Sequence, residues 1–329
     1  MRRAVIEGIG TSVPPRVVTN EEMAAHLDTT DEWVRTRTGI EQRHVADPDT
    51  ATADLAVEAG ARALKSAGGG DVDTVIVATT TPDRLCPSTG PEVAARLGLP
   101  KVAAFDVDGA CAGFVYGLAT AAGLLAAEAA ERVLLIGAET MTRMVDPNDR
   151  TTAVLFGDGA GAVVLRPATS DDEPGAVGPF DLGSDGDLAE LLAVPAGGSR
   201  RPADADTFSA GDHYLKMDGR EVYRQACRRM VESSRAVLDR AGVTVDDVDR
   251  LVGHQANARI LDAVANGLGV PEERRVVNVA RYGNTSAASI PLALADLELT
   301  PGQLVLLTAF GAGLSWGSTL VLWPDLSTA

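Results

Sequence analysis

An internal duplication is the feature of this sequence that most constrains its fold. In the first half, a helical pattern at 52–68 leads through Asp-Val-Asp into an apolar strand at 74–80. In the second half, a helical pattern at 220–242 leads through the same tripeptide into a strand at 250–257. A repeated order of elements indicates that each half is a structural unit and that the two units pack against each other as layers.

The parallel continues beyond these elements. It places Cys111 and Asn284 at equivalent points, and it matches the apolar strand at 132–139 with the one at 304–311. Each half alternates strands of four to six apolar residues with amphipathic helices. This pattern is typical of a mostly parallel sheet with helices on its faces. We therefore predict an α/β fold built from two similar halves.

The segment between the two halves has a different composition. Residues 171–212 are rich in glycine, proline, serine and aspartate, which are typical of surface loops. We predict an N-terminal half at 1–170, inter-half loops at 171–212 that border the substrate site, and a C-terminal half at 213–329.

Composition argues against several classes of function. A net charge of -17 disfavours nucleic acid or an anionic membrane as the main partner, because both need a concentrated positive field. The 3 cysteines are widely separated and have no histidine at metal-ligand spacing, so neither a disulfide framework nor a metal site is expected. No apolar run approaches ~20 residues, and the N-terminus lacks the apolar core of a signal peptide. A cytoplasmic location is therefore predicted.

Cys111 is the first candidate for catalysis. It follows an apolar segment that ends at Gly109, and the residues after it have helical spacing. Its sulfur is therefore predicted to lie near a helix N-terminus, where a thiolate is stabilised. A lone cysteine is more often a buried structural residue, which is the interpretation we give to Cys227 within a helical pattern. The local sequence leaves both interpretations of Cys111 open.

His254 and Asn284 are two further candidates at the ends of apolar segments. His254 follows a strand at the end where α/β sheets carry functional groups, although a lone histidine is more often structural. Asn284 either caps the helix that follows it or donates a hydrogen bond into a site. The glycine cluster at 309–318 follows a strand and forms either a plain turn or a set of N–H donors for an oxyanion.

Two other glycine patterns do not support a dinucleotide site. After the glycines at 8–10, Val13 stands where the third glycine of the fingerprint is needed. The glycines at 157–162 run into a predicted strand instead of a helix. We therefore reject a dinucleotide-binding (Rossmann) interpretation and predict no cofactor.

Five motifs, in this order, resemble the β-ketoacyl-acyl-carrier-protein synthase III family of the thiolase superfamily. They are TTDEWVRTRTGIEQRHVA at 29–46, GACAGF at 109–114, DRTTAVLFGDGAGAVVL at 149–165, HQANARI at 254–260 and GNTSAAS at 283–289. The resemblance covers essentially the whole chain. It implies a thiolase-like, duplicated, five-layered αβαβα fold that is usually a homodimer.

The resemblance also implies a reaction. An acyl group passes from acyl-coenzyme A, a substrate and not a cofactor, to Cys111. It then condenses with malonyl-acyl carrier protein with loss of CO2, at the start of fatty-acid or polyketide synthesis. Acylation divides a difficult carbon–carbon bond formation into two easier steps. His254 and Asn284 would bind the malonyl thioester oxygen, and the N–H groups of Cys111 and Ala312 would form a second oxyanion hole.

Binding residues are carried over from the family by position. Trp33 and Arg150 match residues that sandwich the adenine of coenzyme A, and Arg37 matches one near its phosphates. Arg259 matches a residue of the carrier-protein docking patch. Cys86 matches a position through which a partner subunit enters the acyl pocket, where acetyl-selective relatives have phenylalanine. A smaller side chain there predicts a starter longer or more branched than acetyl.

The sequence departs from the family pattern at two places. Asn266 and Gly267 stand where basic residues are common in the family, so the carrier-protein docking patch is predicted to be less basic here. Ala312 and Leu314 replace a more usual glycine and phenylalanine, which affects the shape of the substrate site more than its chemistry.

Three other hypotheses compete with condensation. A non-decarboxylating acyltransferase of the same fold would esterify an alcohol or amine, and an asparagine as the third residue of the set favours condensation over it. A non-catalytic subunit would not need to retain Cys111, His254 and Asn284 together. A papain-like hydrolase would share the Cys-His-Asn set, but that fold gives no reason for the duplication.

Overall fold

The computed structural model describes residues 3–99, 101–170 and 172–326, and its largest element is one nine-stranded sheet. The strands are β1 (Ala4–Ser12), β2 (Val17–Thr19), β3 (Gln42–His44), β4 (Thr74–Ala78), β5 (Ala103–Val107), β6 (Val133–Thr140), β7 (Asp158–Pro167), β8 (Ala176–Ser184), β9 (Leu192–Ala193), β10 (Lys216–Met217), β11 (Arg250–Gly253), β12 (Leu304–Gly311) and β13 (Ser315–Leu322). The helices are α1 (Asn20–Ala24), α2 (Asp31–Thr38), α3 (Thr52–Ser66), α4 (Thr89–Arg96), α5 (Gly113–Ala126), α6 (Ala205–Ser209), α7 (Gly219–Ala241), α8 (Ala258–Leu268), α9 (Val279–Tyr282) and α10 (Ser289–Ala295).

The sheet repeats one strand order twice. Its order is β11-β12-β13-β8-β1-β7-β6-β4-β5, so the first half reads β1-β7-β6-β4-β5 outward from the centre and the second reads β8-β13-β12-β11. A bridge between Leu251 and Arg275 lies where the second half would have its counterpart of β5. The predicted duplication is therefore present in the topology, and it pairs the same strands that the sequence paired.

The prediction of a mostly parallel sheet was wrong. Strand β4 is parallel to β5 and β6, and β11 is parallel to β12, but every other pairing in the large sheet is antiparallel. In each half the last strand, β7 or β13, turns back beside the strand before it. The connection from β12 to β13 is too short for a parallel crossover, which needs a dozen residues or more.

Strand β8 lies inside the segment 171–212, which the sequence predicted to be loops. The strand holds Pro179 and four other turn-forming residues, so its sequence does not look like a strand. It tolerates them because it pairs with β1 at only two positions, Ala4 with Val177 and Val5 with Ala176. Within sheets, proline is confined to edge strands and bulges. The register between β8 and β13 shifts next to Pro179, as it does at a bulge.

The helices form three layers around the two half-sheets. Helices α5 and α10 lie between the half-sheets and pack against apolar side chains of both, including Leu135 of β6 and Leu307 of β12. Helices α3 and α4 cover the outer face of the first half, through residues such as Val77. Helices α7 and α8 cover the second half, through residues such as Leu306. This arrangement is the predicted five-layered αβαβα fold.

Close packing of α3 against β1 explains why positions 8 and 10 of β1 are glycine. At Gly10 a Cβ atom would lie 2.2 Å from the backbone nitrogen of Ala63, and at Gly8 it would lie 2.6 Å from the carbonyl oxygen of the same residue. The helix therefore rests directly on the strand backbone. None of the described helices has the length and apolar character needed to cross a membrane.

Candidate active site

A cavity of about 400 Å³ brings the three catalytic candidates together. Cys111, His254 and Asn284 all contribute to its wall, although they come from different halves of the chain. Among the predicted binding residues, Arg37, Arg259 and Ala312 also line it.

Cys111 lies at the N-terminal end of α5, as the sequence predicted. It is the middle residue of a 3-10 turn, Ala110–Ala112, that leads directly into the helix. The preceding residue, Ala110, has a φ of 46°, a left-handed conformation that is costly for any residue with a Cβ. At Gly311 a Cβ atom would lie 2.6 Å from the Cys111 nitrogen, so the glycine lets β12 approach the turn that carries Cys111.

Two opposing effects act on the Cys111 thiol. Burial raises its pKa to about 12, and the nearby carboxyl groups of Glu139 and Asp108 act in the same direction. The Ser286 side chain and the Cys111 backbone N–H lower the pKa, and the positive end of the α5 dipole also favours a thiolate. The resting cavity therefore holds a neutral thiol, and a nucleophilic role for Cys111 requires the thiol to lose its proton.

Glu139 is a fully buried carboxyl group next to this thiol. Its oxygens accept hydrogen bonds from the backbone N–H groups of Thr80 and Thr81, at 3.1 to 3.2 Å, and from the hydroxyl of each. Burial raises the pKa of Glu139 to about 7, although these donors and the Ser286 side chain oppose the shift. Nothing in the sequence pattern singled this residue out.

Asn284 is held so that its amide nitrogen is left for the cavity. Its Oδ1 accepts a hydrogen bond from the backbone N–H of Ser286 at 2.9 Å. Since a backbone N–H can only donate, the other end of the side chain is the NH2 group. The backbone of Asn284 is fixed as well, because its N–H donates to Leu155 and its carbonyl accepts from Gly157.

His254 follows β11 and is buried with a neutral ring. Burial lowers its pKa to about 3, so the imidazole is uncharged at neutral pH and only one of its two ring nitrogens carries a proton. Its backbone N–H donates to the carbonyl of Thr308 at 2.8 Å, which fixes the residue beside β12. Its Nδ1 lies 2.7 Å from the Oγ of Ser289, the first residue of α10.

The turns that precede α5 and α10 have matching backbones, but the match differs from the one made on the sequence. Ala110 and Ser286 begin equivalent 3-10 turns and have φ values of 46° and 48°. In this alignment Cys111 corresponds to Ala287, and Asn284 lies two residues before the turn. The sequence predicted correctly that these two connections are equivalent. It aligned their residues incorrectly, because the two segments share no identical residues that fix the alignment.

Apolar side chains form the rest of the cavity wall. Four of the 6 methionines in the chain contribute to it, namely Met141, Met144, Met217 and Met230. Unbranched thioether side chains adapt to irregular shapes, so such a wall suits a flexible acyl chain. The sequence analysis did not identify these residues. The enrichment of methionine at 141–144 was the available signal, and it is a weak one.

The residues predicted to hold the adenine contact each other in this structure. The guanidinium carbon of Arg150 lies 5.3 Å from the centre of the Trp33 ring, and that of Arg37 lies 4.6 Å from it. A base between two stacked planes needs about 7 Å, twice the optimal carbon–carbon separation. Arg150 must therefore move to admit a base, away from its hydrogen bond to the carbonyl of Asp28 at 2.7 Å.

Cys86 lies away from the cavity in a single chain. It is exposed, in the connection between β4 and α4, and it is not among the residues that line the cavity. The neighbouring Leu85 is 94% exposed. Cys86, Cys111 and Cys227 are all free thiols. Within the ranges that the structure describes, no group of three or more histidine, cysteine or acidic side chains is placed to hold a metal ion.

Comparison with known proteins agrees with this fold. A family model for 3-oxoacyl-[acyl-carrier-protein] synthase III matches residues 105–186, and a model for the C-terminal part of that synthase matches residues 238–323. The chain is 56% identical to β-ketoacyl-[acyl-carrier-protein] synthase III 3 of Streptomyces coelicolor, over 98% of both chains. It is 50% identical to the synthase III of Pseudomonas aeruginosa, over 99% of this chain and 98% of that one.

Solved structures define the class of protein. The crystal structure of 3-oxoacyl-(acyl carrier protein) synthase III from Pseudomonas aeruginosa superposes with a TM-score of 0.91 at 49% identity, covering 98% of this chain and 99% of that one. The priming β-ketosynthase of the R1128 polyketide pathway superposes with a TM-score of 0.90 at 36% identity, covering 98% and 97%. The fold is that of thiolase-like condensing enzymes, which are acyltransferases. The chain belongs to the β-ketoacyl-acyl-carrier-protein synthase III family.

Membership of this family confirms the predicted fold and activity. The protein is a condensing enzyme that initiates fatty-acid or polyketide synthesis, and the substrates of its family are acyl-coenzyme A and malonyl-acyl carrier protein.

Proposed function

We propose that Cys111 takes the starter acyl group from acyl-coenzyme A and that His254 and Asn284 serve the condensation that follows. The observation that carries this proposal is the single cavity lined by the thiol and both side chains. Attack by the Cys111 sulfur on the thioester carbon displaces coenzyme A, whose sulfur takes up the proton that the Cys111 thiol loses, and leaves an acyl-enzyme. The malonyl thioester then loses CO2, and negative charge builds on its thioester oxygen. Two neutral donors beside that oxygen stabilise the enolate without supplying a proton.

A second oxyanion hole serves the acyl carbonyl. We assign it to the backbone N–H groups of Cys111 and Ala312. The turn that carries Ala312 is tied to the nucleophile turn, because Ser315 Oγ lies 3.2 Å from the carbonyl of Gly109 and 2.8 Å from that of Ala312. A donor that is held in place before the reaction costs no reorganisation when charge develops.

Coenzyme A enters, in this proposal, past Arg37 and between Trp33 and Arg150. The side chain of Asp28, which pairs with Arg150, is fully exposed, so that ion pair is weak. A base that stacks on the indole and the guanidinium replaces it with two planar contacts. Arg259, exposed beside the cavity, is assigned to the docking of the anionic carrier protein.

We further propose a homodimer in which Cys86 reaches the acyl pocket of the partner subunit. Strand β5 is at the edge of the large sheet, and its ladder on one side is available to a second copy. The exposed Leu85 lies next to Cys86, and burial against a partner removes that apolar side chain from water. The enzyme is proposed to act in the cytoplasm, where cell fractionation would locate it.

The two half-reactions separate the proposed roles. Incubation with acetyl-, butyryl-, isobutyryl- and octanoyl-coenzyme A, followed by mass spectrometry, names the donor by the mass added to Cys111. Cys111→Ser is expected to abolish loading, and Asn284→Ala is expected to load normally and to condense poorly. Unimpaired acylation at residue 111 in Cys111→Ser contradicts the nucleophile assignment.

The same assay separates condensation from simple acyl transfer. A loaded parent enzyme that releases CO2 from malonyl-acyl carrier protein, and extends the acyl group, is a decarboxylative synthase. A parent that loads but transfers the acyl group only to alcohols or amines is the alternative acyltransferase. Equal loss of both half-reactions in correctly folded Asn284→Ala contradicts the division of roles.

A further inference from the structure

The hydrogen bond between His254 and Ser289 has no part in the roles assigned so far. It joins side chains 35 positions apart, and both are buried. Ser289 opens α10, so the buried helix layer brings its hydroxyl to the end of β11, where His254 follows.

The backbone beside His254 occupies one lone pair of this hydroxyl. The N–H of Gln255 lies 3.3 Å from the Oγ of Ser289 and can only donate to it. Gln255 is itself fixed, since its Nε2 donates to the carbonyls of Gly253 at 2.8 Å and Val276 at 3.2 Å. Its Oε1 accepts from the backbone N–H of Asn278 at 2.9 Å. The donor to Ser289 is therefore held rigidly.

A neutral His254 permits two proton arrangements. In the first, the Ser289 hydroxyl donates to Nδ1, and the ring proton is on Nε2. In the second, Nδ1–H donates to Oγ, and the hydroxyl proton needs another acceptor. Within the described residues, Nδ1 of His254 is the only hydrogen-bond acceptor available to the Ser289 hydroxyl. A buried hydroxyl proton without a partner is unfavourable, so the first arrangement is preferred.

We propose that Ser289 is a positioning residue that holds His254 in the tautomer with its proton on Nε2, the ring nitrogen left for the substrate. The inference rests on the proposed function, in which His254 donates to the malonyl thioester oxygen. Only this tautomer can do so, because the other presents a lone pair to an oxygen that is becoming negative. The order of donation is then Gln255 N–H to Ser289, Ser289 O–H to Nδ1, and Nε2–H to the substrate.

The first test compares half-reactions in Ser289→Ala. Decarboxylation of malonyl-acyl carrier protein by the acylated enzyme is expected to fall about 10- to 100-fold, by analogy with the loss of a group that orients a metal-bound histidine. Loading of Cys111 is expected to stay unchanged, because that step does not use His254. Ser289→Thr keeps the hydroxyl and should recover most of the rate. An equal fall in both half-reactions would indicate a structural role and overturn the proposal.

Ser233→Ala is the matched control. Ser233 is a buried serine of α7, and its hydroxyl lies 3.4 Å from the carbonyl of Asp181. The substitution removes the same atom from a buried helix without touching His254. It is expected to leave the ratio of decarboxylation to loading as in the parent protein, and a ratio lowered as far as in Ser289→Ala would count against a specific role.

Nuclear magnetic resonance tests the tautomer directly and does not depend on turnover. With ¹⁵N-labelled histidine, and a His254→Gln variant to assign the signal, the parent protein should show the ring proton on Nε2. Ser289→Ala should shift population towards the other tautomer. A proton on Nδ1 in an active parent enzyme overturns the proposal and leaves the proposed function intact. A parent enzyme that neither loads nor condenses refutes the proposed function instead.

Discussion

At the scale of single residues, Glu139 carries the clearest consequence for stability. Its pKa in the folded protein is raised from 4.5 to about 7, so the folded state holds its proton over a range where the unfolded chain has lost it. Folding is therefore opposed by this group once pH exceeds 4.5, increasingly so up to about 7. Stability falls as pH rises through that window.

Glu139→Gln should remove this pH dependence. The amide keeps the shape and has no proton to lose. Relative to the parent, the free energy of unfolding of the variant should grow by about 3 kcal/mol between pH 4.5 and pH 8, from the shift of about two and a half pKa units. Denaturant unfolding across that range measures it. Glu131→Gln, at an exposed position, is the control, and equal pH profiles in both variants would contradict the assignment.

Residue-scale prediction from the sequence worked where a motif was local. Cys111 was placed at a helix N-terminus because strand, glycine and helix follow one another along the chain. Glu139 and Ser289 were missed because their partners lie 59 and 35 positions away. No periodicity within a segment reports such contacts. They depend on how the sheet and the central helices assemble.

At the scale of elements, one glycine in β1 and one in α5 lead to opposite expectations. Gly10→Ala should lower the free energy of unfolding by about 3 kcal/mol or more, since the new methyl group collides with the α3 backbone. Gly123→Ala, at an exposed position of α5 with no atom within 4 Å of the new Cβ, should raise it by about 0.5 to 1 kcal/mol. Thermal unfolding of both variants checks the signs, and a destabilised Gly123→Ala would show that α5 packs differently.

Element prediction succeeded for the paired strands and failed for β8. Strands such as β6 are buried on both faces, and their unbroken apolar runs are easy to recognise. Strand β8 carries Pro179 and borders the other half-sheet at only two positions, so neither its composition nor its alternation marks it as a strand. Its place in the sheet comes from its long pairing with β13, which is a tertiary contact.

At the scale of the whole molecule, the starter preference depends on the proposed dimer. Replacing phenylalanine by cysteine at the entry from the partner leaves room for several methylenes, each worth about 0.8 kcal/mol on burial. The parent should prefer butyryl, isobutyryl or longer starters to acetyl, and Cys86→Phe should shift kcat/KM towards acetyl. Cys227→Phe adds the same volume away from the proposed pocket and should not. An acetyl preference in the parent, or an unchanged profile in Cys86→Phe, contradicts the proposal.

The net charge of the whole chain predicts that the contribution of Arg259 to carrier-protein binding depends on salt. The chain has a net charge of -17, so an anionic carrier protein needs a local basic patch to approach it. Arg259→Glu should raise the KM for malonyl-acyl carrier protein at low ionic strength, and the difference should shrink as salt is added. Lys65→Glu, an equal reversal on α3, is the control. An unchanged KM in Arg259→Glu at low salt removes Arg259 from the docking surface.

The matching turns at Ala110 and Ser286 have a historical consequence. Two copies of one ancestral unit, facing each other as a symmetrical pair, would have carried the same strained turn twice. The first turn carries the sulfur of Cys111, whereas the amide of Asn284 lies two residues before the second turn. Two connections with nearly the same backbone, whose φ values differ by 2°, therefore support different side-chain chemistry.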